Sequence, residues 1–238
     1  MKGGALVVLV AALAGATVTA RLGFWQLDRA AQKTALQAAL DSRRVLAPLP
    51  LTELATSDSQ AREQHYRPIV VEGSWLPEHT VFLDNRPMAG RVGFIVVTPL
   101  RLTDGSVVTV QRGWVPRDAA DRAHVSLPPT PAGPVRVSGR IAPPPSRLFE
   151  FSGAASGPIR QNLDWGSYAS EVGHALRPLS IVVEDGPLTP DDHLLRQWPL
   201  PAADVHKHYG YAFQWFAMAT LIVGLYVWFQ LIHPRRRV

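Results

Sequence analysis

His208 stands at the head of an apolar stretch that runs to about Ile232, in a segment crowded with Tyr209, Tyr211, Phe213, Trp215 and Phe216. On a helix, His208, Tyr211, Ala212, Trp215 and Ala219 fall at i, i+3, i+4, i+7 and i+11, so they share one face. Imidazole is a strong metal ligand, and aromatic rings beside it can wall an apolar body. A second segment, Leu22-Gly23-Phe24-Trp25-Gln26-Leu27-Asp28-Arg29, is followed by Lys33 one helical turn later. Arg29 and Lys33 share a helical face with Trp25, and Arg21 precedes them.

Two readings fit these residues. Haem iron takes an axial imidazole, its body takes apolar walls and its two propionates take cations. In that reading His208 is the metal ligand, Tyr211 and Trp215 are walls with Trp25 at the same membrane surface, and Arg21, Arg29 and Lys33 are cationic partners. The plainer reading makes the same residues interfacial anchors, with tryptophan among headgroups and cations in water. His206 and His208 lie at i, i+2 and point to different helix faces, which makes them a poor metal pair.

Other chemistries lack their parts. The chain has no cysteine, so thiolate metal sites, disulfides and cysteine nucleophiles are excluded. It has no Gly-Lys-Ser/Thr phosphate loop, no His-Glu-x-x-His pair and no Gly-x-Ser-x-Gly elbow. Asp191 and Asp192 sit in a proline-rich stretch as solvated turn residues, and His65, His79, His124, His174, His193 and His233 are scattered. The expectation is a protein that is not an enzyme. The net charge is +5, but the basic residues are dispersed apart from Arg43-Arg44 and Arg235–Arg237, and no nucleic-acid motif accompanies them. No nucleic-acid partner is expected.

The elements that must position these residues are two apolar segments and what lies between. The C-terminal stretch is about twenty residues long, enough to cross a hydrocarbon core as a helix. The N-terminal one, Gly3 to Ala20, fits a retained anchor, and it also fits a cleaved signal peptide with Val18-Thr19-Ala20 as the processing site. Continued apolar character through Leu22-Gly23-Phe24-Trp25 favours the anchor, as does the four-residue spacing of Ala11, Gly15, Thr19 and Gly23, which lets another helix approach closely. Arg235–Arg237 place the C-terminus in the cytoplasm, so two spans put the intervening domain outside.

Helix is expected to continue past Trp25 to about Leu40, and Pro48 to Gln64 reads as an irregular connection. From Arg67 short β-rich runs follow, separated by turns such as Met88-Ala89-Gly90-Arg91 and Thr103-Asp104-Gly105-Ser106. Val135 to Ile141 and Leu179 to Glu184 read as further strands, with a short strand over Ile159 to Leu163. Asp164 can cap a helix over about Trp165 to Leu176. Hairpin connections predict an antiparallel barrel or sandwich. Arg112-Gly113-Trp114 near the end of a strand reads as a structural device, with Gly113 permitting a bulge or positive φ.

In order along the chain, these segments resemble the surfeit locus protein 1 family of cytochrome c oxidase assembly factors. The resemblance rests on Leu22-Gly23-Phe24-Trp25-Gln26 with Arg29 and Lys33, on Tyr66-Arg67-Pro68, Gly73, and Gly93 with Val97-Thr98-Pro99-Leu100. Arg112-Gly113-Trp114-Val115-Pro116 and His208-x-x-Tyr211-Ala212-x-x-Trp215-Phe216 complete it. Two departures stand out: Gln32 where the family often has tryptophan, and Gln111 where asparagine commonly precedes Arg-Gly-Trp.

The resemblance implies a membrane protein with two transmembrane helices flanking a mainly-β external domain. The segments are residues 1–24 (first span), 25–64 (interfacial helix and connection), 65–204 (periplasmic β-rich domain), 205–232 (second span) and 233–238 (cytoplasmic tail). It implies a multi-pass protein of the bacterial inner membrane that assists maturation of cytochrome c oxidase subunit I. The enzymes of haem a synthesis are further implied partners. For bacterial members it implies haem a binding, with His208 as the ligand. The alternative is a scaffold that carries no haem and stabilises subunit I through its β domain.

Overall fold

The computed structural model describes residues 3–118, 125, 127–149, 157–184, 192–198 and 204–233. The basic tail at Arg235–Arg237, His124 and Asp191 lie outside the described residues. The chain divides into two compact units, Met1–Ala39 with Leu200–Val238, and Leu40–Pro199.

The first unit is a pair of helices. Helix α1 runs unbroken from Gly3 to Arg44, a stretch without proline. Helix α4 spans Val205–Tyr226 and passes into a π-helical turn over Val227–Ile232. Both are long and apolar enough to cross a membrane. Large apolar side chains such as Val7, Leu13, Phe213 and Leu221 are exposed along them. The buried positions are small, and a row of partly covered ones continues them along each helix. On α1 these are Thr19, Gly23, Gln26 and Ala30; on α4 they are His208, Ala212, Trp215, Ala219 and Ile222. Both series step by four and three residues, the 3.5-residue repeat of a coiled-coil seam. The small residues noted at Gly15 and Gly23 lie where the helices approach: a β-carbon at Gly15 would meet Ile222 Cδ1 at 3.5 Å.

The second unit is built on a seven-stranded sheet. Its strands are β1 (Pro68–Trp75), β2 (Val81–Met88), β3 (Arg91–Leu102), β4 (Val107–Pro116), β5 (Pro134–Ala142), β6 (Ile159–Arg160) and β7 (Leu176–Val183). Their order is β1-β5-β7-β4-β3-β2-β6. Strand β1 also pairs with the end of β3, Gly73 opposite Leu102 and Trp75 opposite Leu100. That pairing closes β1, β5, β7, β4 and β3 into a ring and removes the exposed edge that β1 would otherwise present, while β2 and β6 branch from β3.

The sheet is mixed, which corrects the expectation of an antiparallel one. Strands β4 and β7 run parallel, as do β2 and β6. Parallel neighbours need a crossover, and helix α3 (Trp165–Val172) lies in the connection between β6 and β7. Asp164 caps α3, its Oδ1 accepting from the Ser167 amide at 3.0 Å, and Gly173 ends it in the left-handed conformation at φ 70°. The expected strand over Ile159 to Leu163 is limited to Ile159–Arg160. The stretch before β1 is more ordered than expected: Ser57 caps a short helix, α2 (Asp58–Gln64).

Ring closure explains the apolar pattern. Ile69 and Val71, Val108 and Val110, and Leu179, Ile181 and Val183 alternate inward from three strands and share one core with Trp75, Leu100, Val137 and Ile141. Val107, on the other face of β4, packs with Leu83, Val97, Tyr168 and Val172 under α3. With both faces covered, β4 is buried from Val107 to Trp114, as a strand between two packed layers must be.

Candidate functional site

Among the sequence-selected residues, His208 has the most constrained setting. Its Nδ1 lies 2.7 Å from Gln26 Oε1, joining positions 182 residues apart in the chain. Both side chains are half-buried on the helix seam. A carboxamide oxygen only accepts, so Nδ1 carries the proton and donates. In a neutral imidazole this leaves the in-plane lone pair on Nε2. His206 is exposed on a different face. Among the described residues no three His, Asp, Glu or Cys side chains gather as a metal-ion centre requires. His208 is thus part of no such cluster among the described residues.

Trp215 lies on the seam with His208, partly covered. Tyr211 stands off the seam and is 52% exposed, as is Trp25. Trp25 lines an open groove of about 640 Å³ together with Val18, Arg21, Leu22, Phe24 and Asp28. The groove joins one arginine to apolar walls, but His208 does not line it. Arg29 Nη1 donates to Gln32 Oε1 at 2.9 Å, one turn along α1. At the start of α4, Lys207 pairs with Asp204 at 2.9 Å. That bond holds the Asp204 carboxyl below its usual range, with His206 and Lys33 adding to the effect.

Gln26 is the residue that inspection of the sequence passed over. It stands in the Leu22–Gln26 motif that carries the family resemblance, but its residue type and spacing alone give it no chemical role. The available signal was its place in the Thr19, Gly23, Gln26, Ala30 series: a carboxamide in a row of small residues marks a polar contact across the seam.

The chain matches the sequence profile of the SURF1 family over residues 13–220. It belongs to the SURF1 family. It is similar to the cytochrome oxidase assembly protein SHY1 of Saccharomyces cerevisiae, 30% identical over 131 residues that take in 52% of this chain and 33% of that protein. A SURF1-like protein of Rickettsia felis is 24% identical over 225 residues, 89% of this chain and 91% of the relative. Surfeit locus protein 1 of Homo sapiens is 32% identical over 112 residues, 40% of this chain and 36% of that protein. The match thus spans about a third of the yeast and human proteins and about nine tenths of the Rickettsia one.

In this SURF1 family member, Arg112-Gly113-Trp114 is part of the β unit's interior. Pairing shifts between Val96 opposite Gly113 and Val97 opposite Gln111, so Arg112 is the extra residue of a bulge. Its guanidinium is fully buried and lies 5.0 Å from the centre of the Trp75 ring. It donates to Thr130 Oγ1 and to the Pro129 carbonyl, each at 2.7 Å. Burial lowers its pKa to about 10, against the attraction of Asp192 and with added repulsion from Arg196. Gly113 is required by a close approach: a β-carbon there would stand 2.6 Å from Leu194 Cβ. Trp114 is also fully buried and donates from Nε1 to the Arg86 carbonyl at 2.8 Å. Arg112 and Trp114 thus anchor the 192–198 segment and the loop before β5 to the sheet, and neither is presented to a ligand.

Proposed function

We propose that this protein is a membrane-embedded assembly factor for cytochrome oxidase that holds haem a through His208. The observation that carries the reading is the His208 Nδ1 to Gln26 Oε1 hydrogen bond on a seam between two apolar helices. An imidazole tied down at one nitrogen keeps its other nitrogen for a metal. Haem a, when bound, would supply an iron that takes an imidazole nitrogen and propionates that take cationic partners. His208 would hold the iron, Trp215, Tyr211 and Trp25 would cover the apolar body, and Arg29 and Lys33 would meet the acidic groups. The role is binding and presentation, without substrate turnover.

Three further points support the setting. The yeast relative bears a name that assigns it to cytochrome oxidase assembly. Both long helices suit a bilayer by length and composition. The Arg235–Arg237 triplet favours a cytoplasmic C-terminus, which puts the β unit on the periplasmic side of a bacterial inner membrane, where it would engage oxidase subunit I.

The test is spectroscopic. Protein purified from cells that make haem a is expected to carry a haem absorption spectrum, and His208→Ala is expected to lose most of it. Wild type without haem under those conditions overturns the binding reading and leaves a scaffold that works through its β unit.

A further inference from the structure

The Gln26–His208 contact has a consequence for ligation beyond joining two helices. We infer that Gln26 is a positioning residue that fixes the tautomer and ring orientation of His208, so that the imidazole is presented through Nε2. This rests on the haem reading above. The donor–acceptor distance is 2.7 Å, at the short end for a neutral pair. The neighbouring seam positions Gly23, Ala30 and Ala212 are buried and carry no polar side-chain atom. They offer the imidazole no competing partner. Gln26 is half-buried in the same seam, where an unpaired carboxamide oxygen is costly. The contact is therefore maintained from both sides.

A ring held at Nδ1 cannot turn to offer that nitrogen instead, and the hydrogen bond donated from Nδ1 to Gln26 raises the basicity of Nε2. Loss of such an orienting partner weakens metal affinity by roughly 10-fold to 100-fold. A purely structural contact between helices would instead change stability and leave the properties of a bound iron alone.

The experiment uses the full-length protein in detergent micelles with ¹⁵N-labelled histidine, together with Gln26→Leu and Gln26→Glu. In the haem-free wild type, the ¹⁵N shifts of His208 are expected to report the Nδ1-protonated tautomer, and Gln26→Leu is expected to give a mixture. On titration with haem a, Gln26→Leu should bind roughly 10-fold to 100-fold more weakly. Gln26→Glu keeps an acceptor at the same place and a stronger one, so it should restore affinity and move the iron midpoint potential to more negative values. Should Gln26→Leu fail to fold, Gln26→Asn decides, because it draws the acceptor back from Nδ1 without adding a charge: haem a affinity lowered about 10-fold or more supports the inference, and unchanged affinity overturns it. Wild type that binds haem, with variants of unchanged affinity and potential, overturns this inference alone. Wild type that takes up no haem overturns the parent reading together with it, while the haem-free tautomer measurement still reports the contact itself.

Discussion

A β-carbon added at Gly23 would stand 2.8 Å from the ring of Phe216, closer than two carbon atoms can pack. The glycine on α1 and the phenylalanine on α4 thus interlock three residues before Gln26. Phe24 adds an edge-to-face contact with the same ring, centroids 5.1 Å apart.

Gly23→Leu is therefore expected to force the helix pair apart, at a cost of about 1–3 kcal/mol. Gly23→Ala should come close to neutral. The Phe216 ring tip can rotate, and alanine gains roughly 1 kcal/mol of helix propensity over glycine. Unfolding of the helical circular-dichroism signal by denaturing detergent measures both. The leucine variant is also expected to weaken the Gln26–His208 contact, which the ¹⁵N shifts of His208 would register.

Arg112 tests the β unit. Its planar guanidinium reaches Thr130, the Pro129 carbonyl and the face of Trp75 at once. Lysine keeps the charge but loses the fork and most of the stacking. Arg112→Lys is expected to cost about 2 kcal/mol, from lost hydrogen bonds to a charged group. For a unit of this size that lowers the Tm by about 4–8 °C in thermal unfolding followed by circular dichroism. An unchanged Tm would remove Arg112 from the interior framework.

Acid should loosen the β unit through Glu171. Arg160 donates to both of its carboxylate oxygens, at 2.9 and 2.5 Å, and these bonds hold the carboxyl below its usual range. A depressed folded-state pKa means that the pair's contribution is present above the unfolded value, about 4.5, and is lost as pH falls through the folded value. Stability is expected to be level between neutral pH and about 5 and to decline below that. Glu171→Gln should flatten the decline, as read from urea midpoints at several pH values.

Alkali acts through Tyr168. Burial pushes its phenol well above the ordinary value of 10, and its hydroxyl donates to the His79 carbonyl at 2.5 Å. A raised folded-state pKa gives stability that is complete below pH 10 and is lost as pH rises towards the folded value. Tyr168→Phe is expected to cost about 1 kcal/mol at neutral pH and to shallow the alkaline decline. Absorbance at 295 nm should show one tyrosine fewer in the late phase of the titration.

Sequence alone determined the local grammar of this chain. Two apolar stretches, the Asp104-Gly105 and Ala89-Gly90 turns, the Asp164 cap and the β-branched runs are encoded within a few residues. There, turn chemistry and periodicity act directly, and the ordered segments sufficed to suggest the family. Only the tertiary structure decided what crosses long stretches of chain. The ring closed by Gly73 opposite Leu102, the parallel pairing of β4 with β7, and the burial of Arg112 against Trp75 all depend on contacts that no local period specifies. The same holds at the candidate site. Sequence could select His208 from its type and its helical face, and could place Trp25, Arg29 and Lys33 on one helix. That Gln26 holds the imidazole follows from two helices meeting in one register, with glycine and alanine allowing the approach. A hydrogen bond between residues 182 positions apart is a property of packing.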